Sequence, residues 1–159
     1  MHKERSKKRI IFCVLIWLCV AALCVTIFVF SSKSAVESSE QSGAIIEFFY
    51  KLFGVGFTDF FVRKLAHFSE FLLLGFLSAL AFTYTLTDIK KIYLGVVFSL
   101  LYCISDEIHQ IFVPGRACQF RDVLIDFSGI IVGTAGLFLL YLLFKHFWGK
   151  KKCTKDLKS

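Results

Sequence analysis

Proline is almost missing from this chain: Pro114 is the only one in 159 residues. It interrupts no apolar run, and no internal repeat is visible, so the paired broken helices common in secondary transporters have no counterpart here. Charge is scarce as well, at 19% of residues against about 25% in soluble domains. There is no CxxC pair, which removes zinc-ribbon and dithiol readings. GxSxG, P-loop, HExxH and dinucleotide signatures are also absent, so no cofactor and no metal are expected.

What is abundant is hydrocarbon. The chain is 57% hydrophobic with 20 phenylalanines and a mean hydropathy of +0.70, beyond the range of a small soluble domain. About 20 apolar residues cross roughly 30 Å of bilayer, and four stretches qualify: 10–30, 65–85, 92–112 and 123–144. The first is longer than the 7–15-residue apolar core of a secretory signal and reads as a retained span. A serine- and acid-rich stretch, 31–43, reads as an exposed loop. Residues 45–61 mix Phe, Ile and Tyr with charge and glycine, which suits a short helix lying in the interface. The expected fold is therefore all-α: a polytopic membrane protein with four transmembrane helices and one short extracytoplasmic interfacial helix. Residues 10–144 form the membrane domain, flanked by a basic tail at 1–9 and a lysine-rich tail at 145–159.

The net charge of +7 sits at the ends. Residues 1–9 hold five basic side chains and one acid, and residues 145–159 hold six and one; the middle keeps eight basic against ten acidic, a balance of −2. Positive flanks beside membrane spans mark the cytoplasmic side, so the charge reads as topology and not as nucleic-acid binding. Both termini and the Asp88–Lys91 turn are expected inside a cell membrane, with 31–63 and 114–122 outside. Cys13, Cys19, Cys24 and Cys103 lie in apolar segments, while Cys118 and Cys153 fall on opposite sides, so no disulfide framework is expected.

Polar residues converge near the outer ends of three spans. Counting 1.5 Å per residue, His67 lies about 5 Å and Glu70 about 10 Å below Arg63 and Lys64. Asp106 falls about 9 Å and Asp126 about 6 Å below the same edge. Arg63, His67 and Glu70 share one helix face, as do Asp106, His109 and Gln110. Asp122, Asp126, Gly129 and Gly133 form a stripe that permits close helix approach. A charge deep in lipid costs at least about 2.5–3.5 kcal/mol, so such groups must meet each other or a watery cavity.

Several readings follow. Arg63, Arg116 and Arg121 could neutralise Glu70, Asp106, Glu107, Asp122 and Asp126 in an ion-pair network. Alternatively Arg63, His67, Glu70, Asp106, Glu107, His109, Gln110, Arg116, Asp122 and Asp126 line a ligand-facing pocket. His67/Glu70 and Asp106/His109 also pair an imidazole with a carboxylate on one face. That suits general acid–base catalysis and, more weakly, a bundle metal site. Arg116 and Arg121, beside the Pro114-Gly115 turn, are suited to a phosphate or carboxylate, so membrane lipids or an envelope-precursor headgroup are the expected partners.

The motifs Phe30-Ser31-Ser32, Arg63-Lys64-x-x-His67-Phe68-x-Glu70-Phe71, Asp106-Glu107-x-His109-Gln110-x-Phe112-x-Pro114-Gly115-Arg116 and Asp122-Val123-x-x-Asp126-x-x-Gly129 together resemble the VanZ family of bacterial membrane proteins. That family is named for a protein associated with low-level teicoplanin resistance. The resemblance covers about residues 30–133 and implies a four-helix membrane domain in a bacterial cell envelope, with an effect on sensitivity to teicoplanin-like lipoglycopeptides. This chain departs from the family pattern at Asp126, commonly Asn, and at Lys33-Ser34, often Gln-Pro.

Overall fold

The computed structural model describes residues 2–54 and 56–156, and all of its regular structure among them is helical. The helices are α1 (His2–Ser31), α2 (Ala35–Phe53), α3 (Asp59–Leu86), α4 (Ile92–Gln110) and α5 (Phe120–Asp156), with a 3-10 turn at Ile89–Lys91 ahead of α4. Four segments are long and apolar enough to cross a membrane: Lys7–Ser31, Asp59–Leu86, Ile89–Gln110 and Phe120–Phe147. This is an all-α, multi-pass membrane protein. Large apolar side chains such as Ile10, Leu18, Val25, Leu101 and Leu143 point outward, as lipid-facing helices require.

α3 is the hub, packing against α5, α4, α1 and α2. Small residues make this possible. A Cβ on Gly129 or Gly133 of α5 would run into the carbonyl oxygens of Phe68 and Leu72 on α3, and one on Gly95 of α4 would strike the Ala79 backbone. Helices in lipid gain no hydrophobic drive toward each other, so close backbone approach and interhelical hydrogen bonds replace it. The buried Ser78 and Ser99 hydroxyls meet at 2.7 Å, and Ser78 Oγ also donates to Gly95 O at 3.1 Å. α1 joins through Tyr102 Oη, which donates to Cys24 O at 2.6 Å, and at the other end through Trp17 Nε1, which donates to Thr85 Oγ1 at 3.1 Å.

Three expected boundaries are corrected. Most of the stretch read as an exposed loop, 31–43, is the first half of α2. Ser34 and Glu37 form a capping box: Ser34 Oγ accepts the Glu37 N–H at 3.3 Å and Glu37 Oε2 accepts the Ser34 N–H at 2.9 Å, satisfying backbone donors that a helix start otherwise leaves bare. The single interfacial helix expected at 45–61 is split. Gly54 takes φ 68° and closes α2 through its N–H to Tyr50 O, and Thr58 then caps α3, its Oγ1 accepting the Phe61 N–H at 3.2 Å. Arg63 and Lys64 are consequently inside a spanning helix, one turn from its start, instead of marking its edge. α4 ends at Gln110, before the expected 112. The following turn carries Gly115 at φ 75°, and Pro114 O accepts the Ala35 N–H at 3.2 Å, fastening the turn to the start of α2.

Candidate functional site

Arg63, His67 and Glu70 recur at i, i+4 and i+7 on α3, and the structure turns this face toward α2 and the α4–α5 connection. Two cavities result. One, of about 140 Å³, lies between α2 and α3 with Arg63, His67, Glu70 and Arg116 in its wall beside Phe30, Gln41, Ile45 and Val62. The other, of about 160 Å³, lies under the α4–α5 connection and is lined by Lys64, Gln110, Ala117, Gln119 and Asp122. Arg63, His67 and Arg116 border both, so these three side chains form the partition between them.

Among the described residues, no carboxylate lies within 4.0 Å of Arg116. Its Nη2 donates to the Phe30 carbonyl at 3.2 Å, while its buried Nε has no partner. Burial, then the neighbouring Arg63 charge, holds the guanidinium below its usual value; Asp106, Glu107 and Glu70 pull it back up. An arginine so placed remains charged, and its planar fork suits a phosphate or carboxylate. Arg63 and Lys64, by contrast, are occupied. Arg63 Nε pairs with Asp59 Oδ2 at 3.3 Å, and Lys64 Nζ pairs with Asp122 Oδ2 at 2.5 Å.

The expected ion-pair network is therefore corrected. Among the described residues, no arginine lies within 4.0 Å of Glu70, Asp106, Glu107, Asp122 or Asp126. The acids find other partners. Asp106, 3% exposed, accepts from Ser31 Oγ at 2.7 Å and Gln110 Nε2 at 3.1 Å. Glu107, 2% exposed, accepts the Gln119 N–H at 3.2 Å, holding the connection that carries Arg116. Asp126, 1% exposed, has only the Cys103 thiol at 3.9 Å, and its Oδ1 is unpartnered. Arg121 lies over the Phe60 ring, 5.4 Å from its centroid.

Of the residues expected to share a pocket, Arg63, His67, Glu70, Gln110, Arg116 and Asp122 border the two cavities, whereas Asp106, Glu107 and Asp126 are buried and border neither. His109 turns away toward α1, its Nε2 3.1 Å from Ser32 Oγ and its ring 4.6 Å from that of Phe28. Neither expected imidazole–carboxylate pair is hydrogen-bonded: His109 engages Ser32, and His67 Nδ1 is buried without a partner. Among the described residues, no group of three or more His, Cys, Asp or Glu side chains is set to hold a metal ion.

Sequence reasoning missed Ser31, which bridges to Asp106, and Asp59 and Lys64 as ion-pair members. It also missed Ser38, Gln41 and Ser42, which α2 brings to the first cavity. The Arg63–Asp59 pair was readable from its i, i+4 spacing; the others depend on which helices meet.

A family model described as VanZ/LLP1 matches residues 12–145. The chain belongs to the VanZ/LLP1 family. Comparison with curated proteins and with solved structures returns no match. The matched stretch takes in most of the first and last spans, the two between them, both cavities and the partition, so the architecture described above is that of a VanZ/LLP1 membrane domain.

Proposed function

We propose that the Arg63–His67–Arg116 partition recognises an anionic headgroup of a cell-envelope component, and that this binding lowers sensitivity to teicoplanin-like lipoglycopeptides. One observation carries the reading: Arg116 borders both cavities with a buried, unpartnered Nε, while the neighbouring Arg63 and Lys64 are neutralised within the fold. A half-buried cation without a counter-ion is costly unless something supplies the charge. The basic tails at 1–9 and 145–159 favour both termini inside the cell membrane, which faces the cavities toward the envelope.

The test is drug susceptibility scored together with membrane abundance. Arg116→Gln loses protection at normal abundance, and Arg121→Gln keeps it. Parallel loss of protein in the Arg116 variant contradicts the proposal.

A second reading, an intramembrane enzyme acting on a lipid or glycan headgroup, is favoured by His67, which borders both cavities and carries an imidazole, the side chain best suited to general acid–base chemistry. Turnover of envelope lipids by purified protein, abolished in His67→Ala, selects the enzyme. Binding with unchanged lipid selects recognition.

A further inference from the structure

The two cavities differ in character. The α2–α3 chamber has Glu70 and three polar residues of α2 on one side and an apolar wall of Phe30, Ile45, Val62 and Ala66 on the other; Phe30 and Ile45 are 43% and 45% exposed. It therefore opens on the flank of the bundle, where other side chains meet hydrocarbon. The chamber under the α4–α5 connection is walled by Lys64, Gln110, Gln119 and Asp122, side chains that offer hydrogen bonds and charge. Between them stands the partition, with Arg116 as its free cation.

Size limits the ligand. Sites that enclose a drug-sized molecule measure about 300–1,000 Å³, whereas the chambers measure about 140 and 160 Å³. Neither encloses a disaccharide–peptide headgroup or a glycopeptide. Each has room for a small group, and together they suit a molecule lying across the partition.

We infer that the site takes an amphiphilic phosphate ester: the phosphate on Arg116, the first methylenes of its chain in the α2–α3 chamber, and a small polar substituent in the chamber beneath the α4–α5 connection. This rests on the recognition reading and names the class of ligand within it. The shared chemistry is a phosphate monoanion or diester. A lipid phosphate differs from a free phosphate in using the apolar chamber, where each buried CH₂ contributes about 0.8 kcal/mol.

The test uses the purified full chain in non-ionic detergent. Retention of radiolabelled dodecyl phosphate is measured alone and in competition with inorganic phosphate. Dodecyl phosphate is retained and a large excess of inorganic phosphate does not displace it. Phosphatidylglycerol, which adds a small polar substituent, competes better than dodecyl phosphate itself. Arg116→Gln weakens retention about tenfold or more, as loss of a charge-assisted contact requires, and Arg121→Gln leaves it unchanged. Ala66→Phe, which fills the apolar chamber, weakens dodecyl phosphate but not inorganic phosphate. Should that variant fail to fold, the wild-type competition and the arginine pair still decide.

Equal competition by inorganic phosphate overturns the inference, because the chain then takes no part. So does absence of retention by the wild-type protein. If retention is absent while Arg116→Gln still loses drug protection at normal abundance, recognition stands and only the ligand class falls. If Arg116→Gln changes neither, both fall.

Discussion

Asp106 Oδ2 accepts a hydrogen bond from Ser31 Oγ at 2.7 Å, tying α4 to the last residue of α1 across 75 positions of sequence. Both residues are almost fully buried. The contact holds α1 against the end of the bundle where Arg116 reaches the Phe30 carbonyl, one residue away.

Removing this hydroxyl leaves Asp106 with Gln110 as its remaining hydrogen-bond donor. Ser31→Ala is expected to lower stability by about 1–3 kcal/mol, the cost of an under-satisfied buried acceptor. Ser32→Ala, next door, gives up only exposed contacts, among them that with His109 Nε2, and costs about 0.5 kcal/mol, the low end for a hydrogen bond. Equilibrium unfolding in mixed micelles measures both, and equal losses contradict the role given to Ser31.

Close approach of α5 to α3 depends on glycine only where the backbones touch. At Gly133 an added Cβ collides with the Leu72 carbonyl, whereas at Gly136 it meets nothing within 4 Å. Gly133→Ala is expected to cost about 1–3 kcal/mol by overpacking. Gly136→Ala is expected to be neutral or stabilising by up to about 1 kcal/mol through helix propensity. The unfolding midpoints of the two variants, compared in the same detergent, test the pair.

The start of α2 is expected to respond to acid. The Ser34 hydroxyl, then the Ser34 backbone N–H, holds the Glu37 carboxyl below its usual value of 4.5. A depressed carboxyl contributes stability that is fully present above its unfolded value and is lost as pH falls through the lower folded value. Amide protection at the first turn of α2, corrected for the intrinsic exchange rate at each pH, should therefore fall below about pH 4.5, and Glu37→Gln should flatten the response. A Glu37 titration at or above 4.5 by NMR contradicts the capping box.

Which side of the membrane carries the cavities can be read from a native cysteine. Cys118 lies exposed in the α4–α5 connection, two residues from Arg116. An impermeant maleimide should label it on intact cells, and Cys118→Ser should abolish the label. Labelling only after permeabilisation would turn the cavities to the cytoplasm.

Much of this architecture was legible because crossing hydrocarbon leaves few options: four apolar runs and a single proline already imply a helical bundle. The α2 start was legible too, since Ser34-x-x-Glu37 is a capping-box pattern; the serine-rich composition around it masked the signal. Helix faces could be read from spacing, but the neighbour each face meets could not. The face shared by Asp106 and His109 meets the end of α1, through Ser31, Ser32 and Phe28, and not His67 and Glu70 of α3. Lys64 and Asp122 join only because Gly129 and Gly133 set the register of α5 on α3. Arg63 pairs with Asp59 and not with the deep acids because both stand in the first turns of one helix, α3, one turn apart.

Arg116 folds over the His67 face of α3, where both border the two cavities. In a cysteine-free background, the His67→Cys/Arg116→Cys pair should cross-link in membranes with a short bismaleimide, whereas His67→Cys/Tyr141→Cys should not, because Tyr141 lines the opposite end of the bundle beside Thr83 and Thr87. Efficient cross-linking of the first pair alone is the predicted result. No cross-link between positions 67 and 116, with both thiols reactive, would mean that the partition does not exist.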